Sequence, residues 1–152
     1  MKASTAMTRD VICLTEDEKL DEAWNTMTRF RIRHLPVFEG DALVGILSDR
    51  DVLLHATAGG EGGMTVPSKP VREVMTPVPI TCRPTATIAE VVDLMLTHRI
   101  DCVPVTTGPR NLVGLVTSTD LLMLLGEREA NGDRAIPFDW RVVRAVDIAA
   151  TG

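Results

Sequence analysis

The sequence predicts an α+β protein of two tandem β-α-β-β-α units that form one pseudo-two-fold module. Three observations carry this expectation. The chain repeats itself at a nearly constant offset. Each copy alternates short apolar runs with helical spacing. A glycine- and proline-rich stretch separates the copies.

The repeat aligns residues 7–37 with 75–105 at a shift of 68. Met7-Thr8 meets Met75-Thr76, Ile12 meets Ile80, Glu22 and Met27 meet Glu90 and Met95, and Pro36-Val37 meets Pro104-Val105. Arg31-Ile32 likewise meets Arg99-Ile100. One extra turn residue changes the shift to 69, so that Leu43-Val44-Gly45 meets Leu112-Val113-Gly114 and Asp51 meets Asp120. The organisation expected is a first unit over 7–56, a flexible linker over 57–70, a second unit over 71–126 and a C-terminal extension over 127–152.

Each unit reads in the same order. A short strand comes first (Val11–Leu14; Ile80–Cys82). A helix follows, with Leu20, Ala23, Trp24 and Met27 in one copy and Ile88, Val91, Val92 and Met95 in the other, at i, i+3, i+4, i+7 spacing. Thr87 and Glu90 form a capping box, and the first copy has no equally good one. Strands His34–Phe38 and Cys102–Thr106 come next, then turns and the apolar strands Leu43–Leu47 and Leu112–Val116, which read as buried. Ser48 and Thr117 begin second helices. The linker contains glycines 59, 60, 62 and 63 and prolines 67 and 70.

Composition narrows the function. With 45% hydrophobic and 24% charged residues the chain is an ordinary globular protein. A net charge of −5 disfavours a general grip on nucleic acid. No apolar run reaches the roughly 18 residues of a membrane span, and the N-terminus lacks the apolar stretch of a signal peptide. Cys13, Cys82 and Cys102 have neither metal spacing nor an even count. Reduced thiols and a cytoplasmic location are expected. No P-loop, nucleophile elbow, HExxH or CxxC is present. His55 and His98 have no partner ligand, so neither an enzyme nor a metal protein is indicated.

The order Met-Thr, strand, helix, Pro-Val strand, turn, Gly-apolar-apolar-Ser/Thr-x-x-Asp resembles the CBS domain. It is carried by MTRDVI…HLPVFEGDALVGILSDRDVL and VREVMTPVPI…CVPV…NLVGLVTSTDLL. The resemblance implies that two units associate through their sheets and form two clefts. It also implies a flat homodimer, and regulatory binding of AMP, ADP, ATP or a related adenosyl ligand rather than an obligatory cofactor. The alternative is a ligand-independent structural adaptor.

In Ser48-Asp49-Arg50-Asp51 and Thr117-Ser118-Thr119-Asp120, Ser48 and Thr117 cap helices without any ligand, and the acid three residues later supports the cap. The resemblance adds that Asp51 and Asp120 grip ribose, while the hydroxyls and helix amides attract phosphate. It places Arg33 and His34 at the phosphates of the first cleft; their counterparts are Asp101 and Cys102. Arg50 stands where the second copy has Thr119. The first cleft is therefore expected to be the better phosphate site. Ile32 and Ile100 are core residues on their own reading, and adenine-slot residues by resemblance. Leu121–Leu125 is apolar almost all round and points to a homodimer interface. The tail Phe138–Val146 reads as a short helix or strand that packs on its own module. An output through a protein effector is expected, with no nucleic-acid or membrane partner.

Overall fold

The computed structural model describes residues 1–109 and 111–130. Chain order is α1 (Ala3–Ala6), β1 (Leu14–Thr15), α2 (Leu20–Phe30), β2 (His34–Glu39), β3 (Ala42–Ser48), α3 (Asp49–His55), β4 (Thr57–Ala58), β5 (Met64–Thr65), β6 (Thr76–Pro77), α4 (Ile88–His98), β7 (Cys102–Thr106), β8 (Leu112–Thr117) and α5 (Ser118–Ala130). The tail expected over Phe138–Val146, the Asn131-Gly132 break and Arg110 lie outside the described residues.

The first sheet has the order β1-β2-β3-β6, with β1 parallel to β2 and the other pairs antiparallel. The second is the hairpin β7-β8. Its flanks are single bridges, Cys82 parallel to Val105 and Thr8 antiparallel to Leu115. The two sheets thus share one plan. Leu14 faces Val37 as Cys82 faces Val105, and Ile46 faces Thr76 as Leu115 faces Thr8.

The segment before each repeat docks on the other repeat. Val71, Val74 and Met75 pack into the first core with Leu20, Met27, Leu35, Val37, Leu47 and Val52. Ala3 and Met7 pack into the second with Val91, Met95, Val103, Val105 and Val116. Gly45 and Gly114 permit this crossing. A Cβ on Gly45 would lie 2.5 Å from the Met75 sulfur, and one on Gly114 would lie 2.7 Å from the Thr8 carbonyl oxygen. Sequence repeats 7–56 and 71–126 are therefore not separate packing units.

Three local expectations change. The first strand begins at Leu14, because Leu14 and Thr15 are the residues that pair with Val37 and Phe38. Its counterpart shrinks to the Cys82 bridge, beside Pro79 and Pro84, whose missing N–H groups limit a ladder. Strand β3 is not buried on both faces: Gly45 and Leu47 are buried, while their neighbours are half-exposed. The linker carries order of its own. Strands β4 and β5 form a small hairpin around a 3₁₀ turn at Gly60–Gly62, Val66 packs against the first core, and Leu20 donates its N–H to the Lys69 carbonyl at 2.9 Å.

The helix ends follow the side-chain chemistry. Thr87 and Glu90 close a full capping box on α4, whereas Lys19 gives α2 no side-chain cap. In the first copy Glu18 instead turns back and accepts from the Thr15 N–H at 2.5 Å.

Candidate functional site

The first turn of α3 holds its own cap. Ser48 Oγ accepts from the Asp51 N–H at 3.1 Å, and Asp51 Oδ2 accepts from the Ser48 N–H at 2.9 Å. Helix α5 repeats the arrangement. Thr117 N–H and Oγ1 donate to Asp120 Oδ2 at 2.7 and 2.8 Å, and Thr117 Oγ1 accepts from the Asp120 N–H at 3.3 Å. In both copies the cap uses Oδ2. For Asp120, Oδ1 also accepts from the Thr8 hydroxyl at 3.4 Å.

A cleft of 560 Å³ opens where β2, β3 and α3 of the first repeat face the second. Arg33, His34, Ser48, Arg50, Asp51, Ile100 and Cys102 all line it, although they come from both repeats. The remaining candidates lie elsewhere. Thr117 caps the opposite helix, whose first turn holds Thr119 and Asp120, and Ile32 packs against the first core. Arg33 links the two regions, donating from Nη2 to Thr119 Oγ1 at 3.3 Å.

Sequence reasoning missed several walls of the cleft. Thr76, Val78 and Ile80 reach it through the crossed-over segment, and Arg99 through the end of α4. The signal was present in the alignment of Met75-Thr76 with Met7-Thr8, but only the fold shows that this segment changes partner. Val78 is 84% exposed with a φ of +52°, an unusual conformation for a β-branched residue.

Charge in the cleft is mixed, with Arg33, Arg50 and Arg99 against Asp49, Asp51 and Asp101. Burial lowers the His34 pKa; Asp49 opposes that shift, Arg33 adds to it, and Asp101 and Asp51 oppose it. The imidazole is thus a neutral hydrogen-bonding group near pH 7 rather than an added cation. Burial, with Asp120 and Asp101 adding to it, pushes the Cys102 thiol up to about 12, so the sulfur is an unreactive wall atom. Cys82 is also buried, Cys13 is exposed, and all three thiols are free. Among the described residues no cluster of three or more metal-ligating side chains occurs, and no helix is long and apolar enough to cross a membrane.

Two pseudo-symmetric α+β repeats, crossed over at their leading segments and facing one another across a cleft, define a tandem domain pair. The chain belongs to the CBS domain family, which matches residues 3–57 and 71–127. It is 32% identical over 126 residues to the CBS domain-containing protein YhcV of Bacillus subtilis, covering 83% of this chain and 86% of that protein. It is 34% identical over 120 residues to inosine-5'-monophosphate dehydrogenase of Korarchaeum cryptofilum, covering 79% of this chain but only 23% of the dehydrogenase. Among solved structures, the CBS domain pair of protein MJ0100, in complex with 5'-methylthioadenosine and S-adenosyl-L-methionine, superimposes with a TM-score of 0.72 at 26% identity. The superposition covers 84% of this chain and 98% of that one. The acetoin utilization protein AcuB of Vibrio cholerae, described as a putative one, gives 0.71 at 28% identity, over 90% and 98%.

Proposed function

We propose that this CBS pair is a regulatory module that binds an adenine nucleotide (AMP, ADP or ATP) or a related adenosyl ligand in the Asp51 cleft and passes its occupancy to a protein partner. One observation supports the reading: Asp51, Arg33, Arg50 and Ile100, side chains suited to ribose, phosphate and base, line a single cleft. Asp51 keeps its Oδ1 outside the helix cap, suited to accept from ribose hydroxyls. Arg33 and Arg50 supply cations for phosphate, and Ile100 supplies an apolar wall from the opposite repeat. The volume is ordinary for a small-molecule site. The adenosyl ligands of the MJ0100 pair support the class of ligand. Occupancy of the cleft acts through differential binding of the two states to a partner.

The test is direct. Mass spectrometry of small molecules released from gently purified protein is expected to show an adenosyl compound. Calorimetry with AMP, ADP, ATP and S-adenosylmethionine is expected to show binding to at least one. No heat with any of them, and no shift in melting temperature, would leave only a ligand-independent adaptor.

The same proposal includes a homodimer through α3 and α5. Leu54, Leu122 and Met123 are 75, 67 and 61% exposed, an apolar surface that a second copy would cover.

A further inference from the structure

Arg99 lies one residue past α4, with φ +53° and ψ +46°. Glycine is the ordinary residue for this left-handed helix end, because it has no Cβ to crowd the carbonyl. The first repeat does the same thing, with Arg31 at φ +54° and ψ +42°. The backbone at these two positions gains nothing from arginine. A strained conformation kept for its side chain points to a use for the side chain.

For Arg99 the structure shows a cleft beside it. It lines the 560 Å³ cleft from the second repeat, while Arg33 and Arg50 line it from the first. The ion pairs seen among the described residues, Lys69–Glu73 and Arg72–Asp17, lie elsewhere, so no described carboxylate stands within ion-pair distance of these three guanidiniums. Asp49, Asp51 and Asp101 share the cleft and offset part of its positive charge, but one oxygen of each of the first two is held by backbone. Asp49 Oδ1 accepts from the Arg50 N–H at 2.9 Å, and Asp51 Oδ2 from the Ser48 N–H. The three guanidiniums, coming from two repeats, supply forked donors that phosphate oxygens can draw on from both sides of the cleft.

We infer that Arg99 is an anion-binding residue of the Asp51 cleft, holding the phosphate tail of an adenosyl ligand from the repeat opposite Arg33 and Arg50. This rests on the nucleotide reading of the cleft. It makes Arg99 a specificity residue: it selects phosphorylated ligands over adenosine, 5'-methylthioadenosine or the sulfonium cation of S-adenosylmethionine. It also makes phosphate binding bridge the two repeats.

Arg99→Gly is the informative variant, because glycine relieves the backbone while removing the charge. Calorimetry compares wild type, Arg99→Gly and Arg99→Lys with ATP, AMP, adenosine and inorganic pyrophosphate. Expected in Arg99→Gly are an unchanged or higher melting temperature without ligand, and a loss of about ten-fold or more for ATP and AMP, as for one charge-assisted hydrogen bond. Adenosine affinity is expected to stay the same, and Arg99→Lys to recover part of the loss. Unchanged ATP affinity, or an equal loss for adenosine, would overturn the assignment. Pyrophosphate separates the two readings. If wild type binds pyrophosphate but no adenosyl compound, the nucleotide reading fails, and the pyrophosphate loss in Arg99→Gly decides the role of Arg99. If wild type binds neither, both fail.

Discussion

The Arg33 guanidinium donates to the Thr119 hydroxyl at 3.3 Å, across 86 residues of sequence. Arg33 lines the Asp51 cleft, while Thr119 stands in the first turn of the helix that carries Asp120. One side chain therefore belongs to both halves of the module. At the reciprocal positions, Asp101 can only accept and Arg50 can only donate, so the donor and acceptor sides are exchanged. The pseudo-two-fold symmetry of the backbone is broken here by chemistry.

A phosphate in the Asp51 cleft competes with Thr119 for Arg33. Thr119→Ala removes the competitor and is expected to raise AMP affinity by about 2- to 10-fold, the worth of one ordinary hydrogen bond. Arg33→Ala is expected to lower AMP affinity by about 10-fold and to leave adenosine affinity unchanged. Calorimetry on both variants checks this. Unchanged AMP affinity in Thr119→Ala would mean that the bond does not compete with ligand.

The crossing of the leading segments makes a prediction about stability. A Cβ at position 114 would lie 2.7 Å from the Thr8 carbonyl oxygen and 2.8 Å from the Met7 sulfur. The backbone contact cannot be relieved by a rotamer change, so Gly114→Ala is expected to cost about 1–3 kcal/mol. Hydrogen exchange should rise over Ala3–Thr8, since Thr8 and Leu115 exchange two backbone hydrogen bonds at 2.8 and 2.9 Å. Gly45→Ala should cost less, because its closest contact is the flexible Met75 side chain, although the Thr76 carbonyl oxygen at 3.0 Å must also give slightly. Denaturant melts of the two variants give the comparison, and an equal or smaller cost at Gly114 would contradict it.

How far these features were legible in the sequence depends on their range. Local chemistry was legible: Thr87 and Glu90 cap α4, and Ser48 and Thr117 cap the second helices. The β-α-β-β-α order was legible because apolar period and turn residues agree within each copy. The partner of Met7 and of Met75 was not, because an apolar residue at a repeat boundary fits either core equally well. Arg99 was hidden for a different reason. Its conformation is set by the way α4 ends, and nothing in His98-Arg99-Ile100 spells a left-handed residue. The glycines of 57–70 read as freedom, whereas Gly62, at a φ of +77°, serves a turn in an ordered hairpin.

His34 makes stability depend on pH. Burial holds its folded-state pKa below the ordinary value of about 6.5. As pH falls through that value the unfolded chain takes up the proton first, so stability declines, and the loss is complete once pH is below the folded-state pKa. Above the ordinary value both states are neutral and the contribution is constant. Wild type is therefore expected to lose more stability than His34→Gln between about pH 8 and pH 5.5, by denaturant titration. Bound phosphate reverses the preference, because it favours the imidazolium, and AMP should then shrink the difference between the two proteins. Parallel losses would show that His34 does not carry the pH sensitivity.

The homodimer is tested on the exposed helix surface. Leu54→Glu combined with Leu122→Glu puts charges where 75% and 67% of each side chain is exposed, so the fold itself should tolerate them. Light scattering of wild type is expected to give twice the 16.6 kDa chain mass, and the double variant should approach one chain mass. A monomeric wild type at high concentration would remove the interface.

The sharpest comparison is between Asp51 and Asp120, which cap their helices in the same way. Replacing either by Ala breaks a helix cap, at a cost of about 1 kcal/mol, so the two variants should lose similar stability. Their ligand effects should differ. Asp120 Oδ1 already accepts from the Thr8 hydroxyl, and Asp101 and Cys102, expected beside Asp120 from the sequence, line the Asp51 cleft instead. Asp51 shares its cleft with Arg33 and Arg50. AMP titration is therefore expected to show a loss of about 10-fold or more in Asp51→Ala, from a lost hydrogen-bond acceptor for ribose, and a small change in Asp120→Ala. Thr8→Val supplies the control for the second half. It frees Asp120 Oδ1, and it should admit an adenosine-like ligand there if that hydroxyl is what stands in the way. A larger loss in Asp120→Ala than in Asp51→Ala would place the principal site in the second repeat and overturn the assignment of phosphate to Arg33 and Arg50.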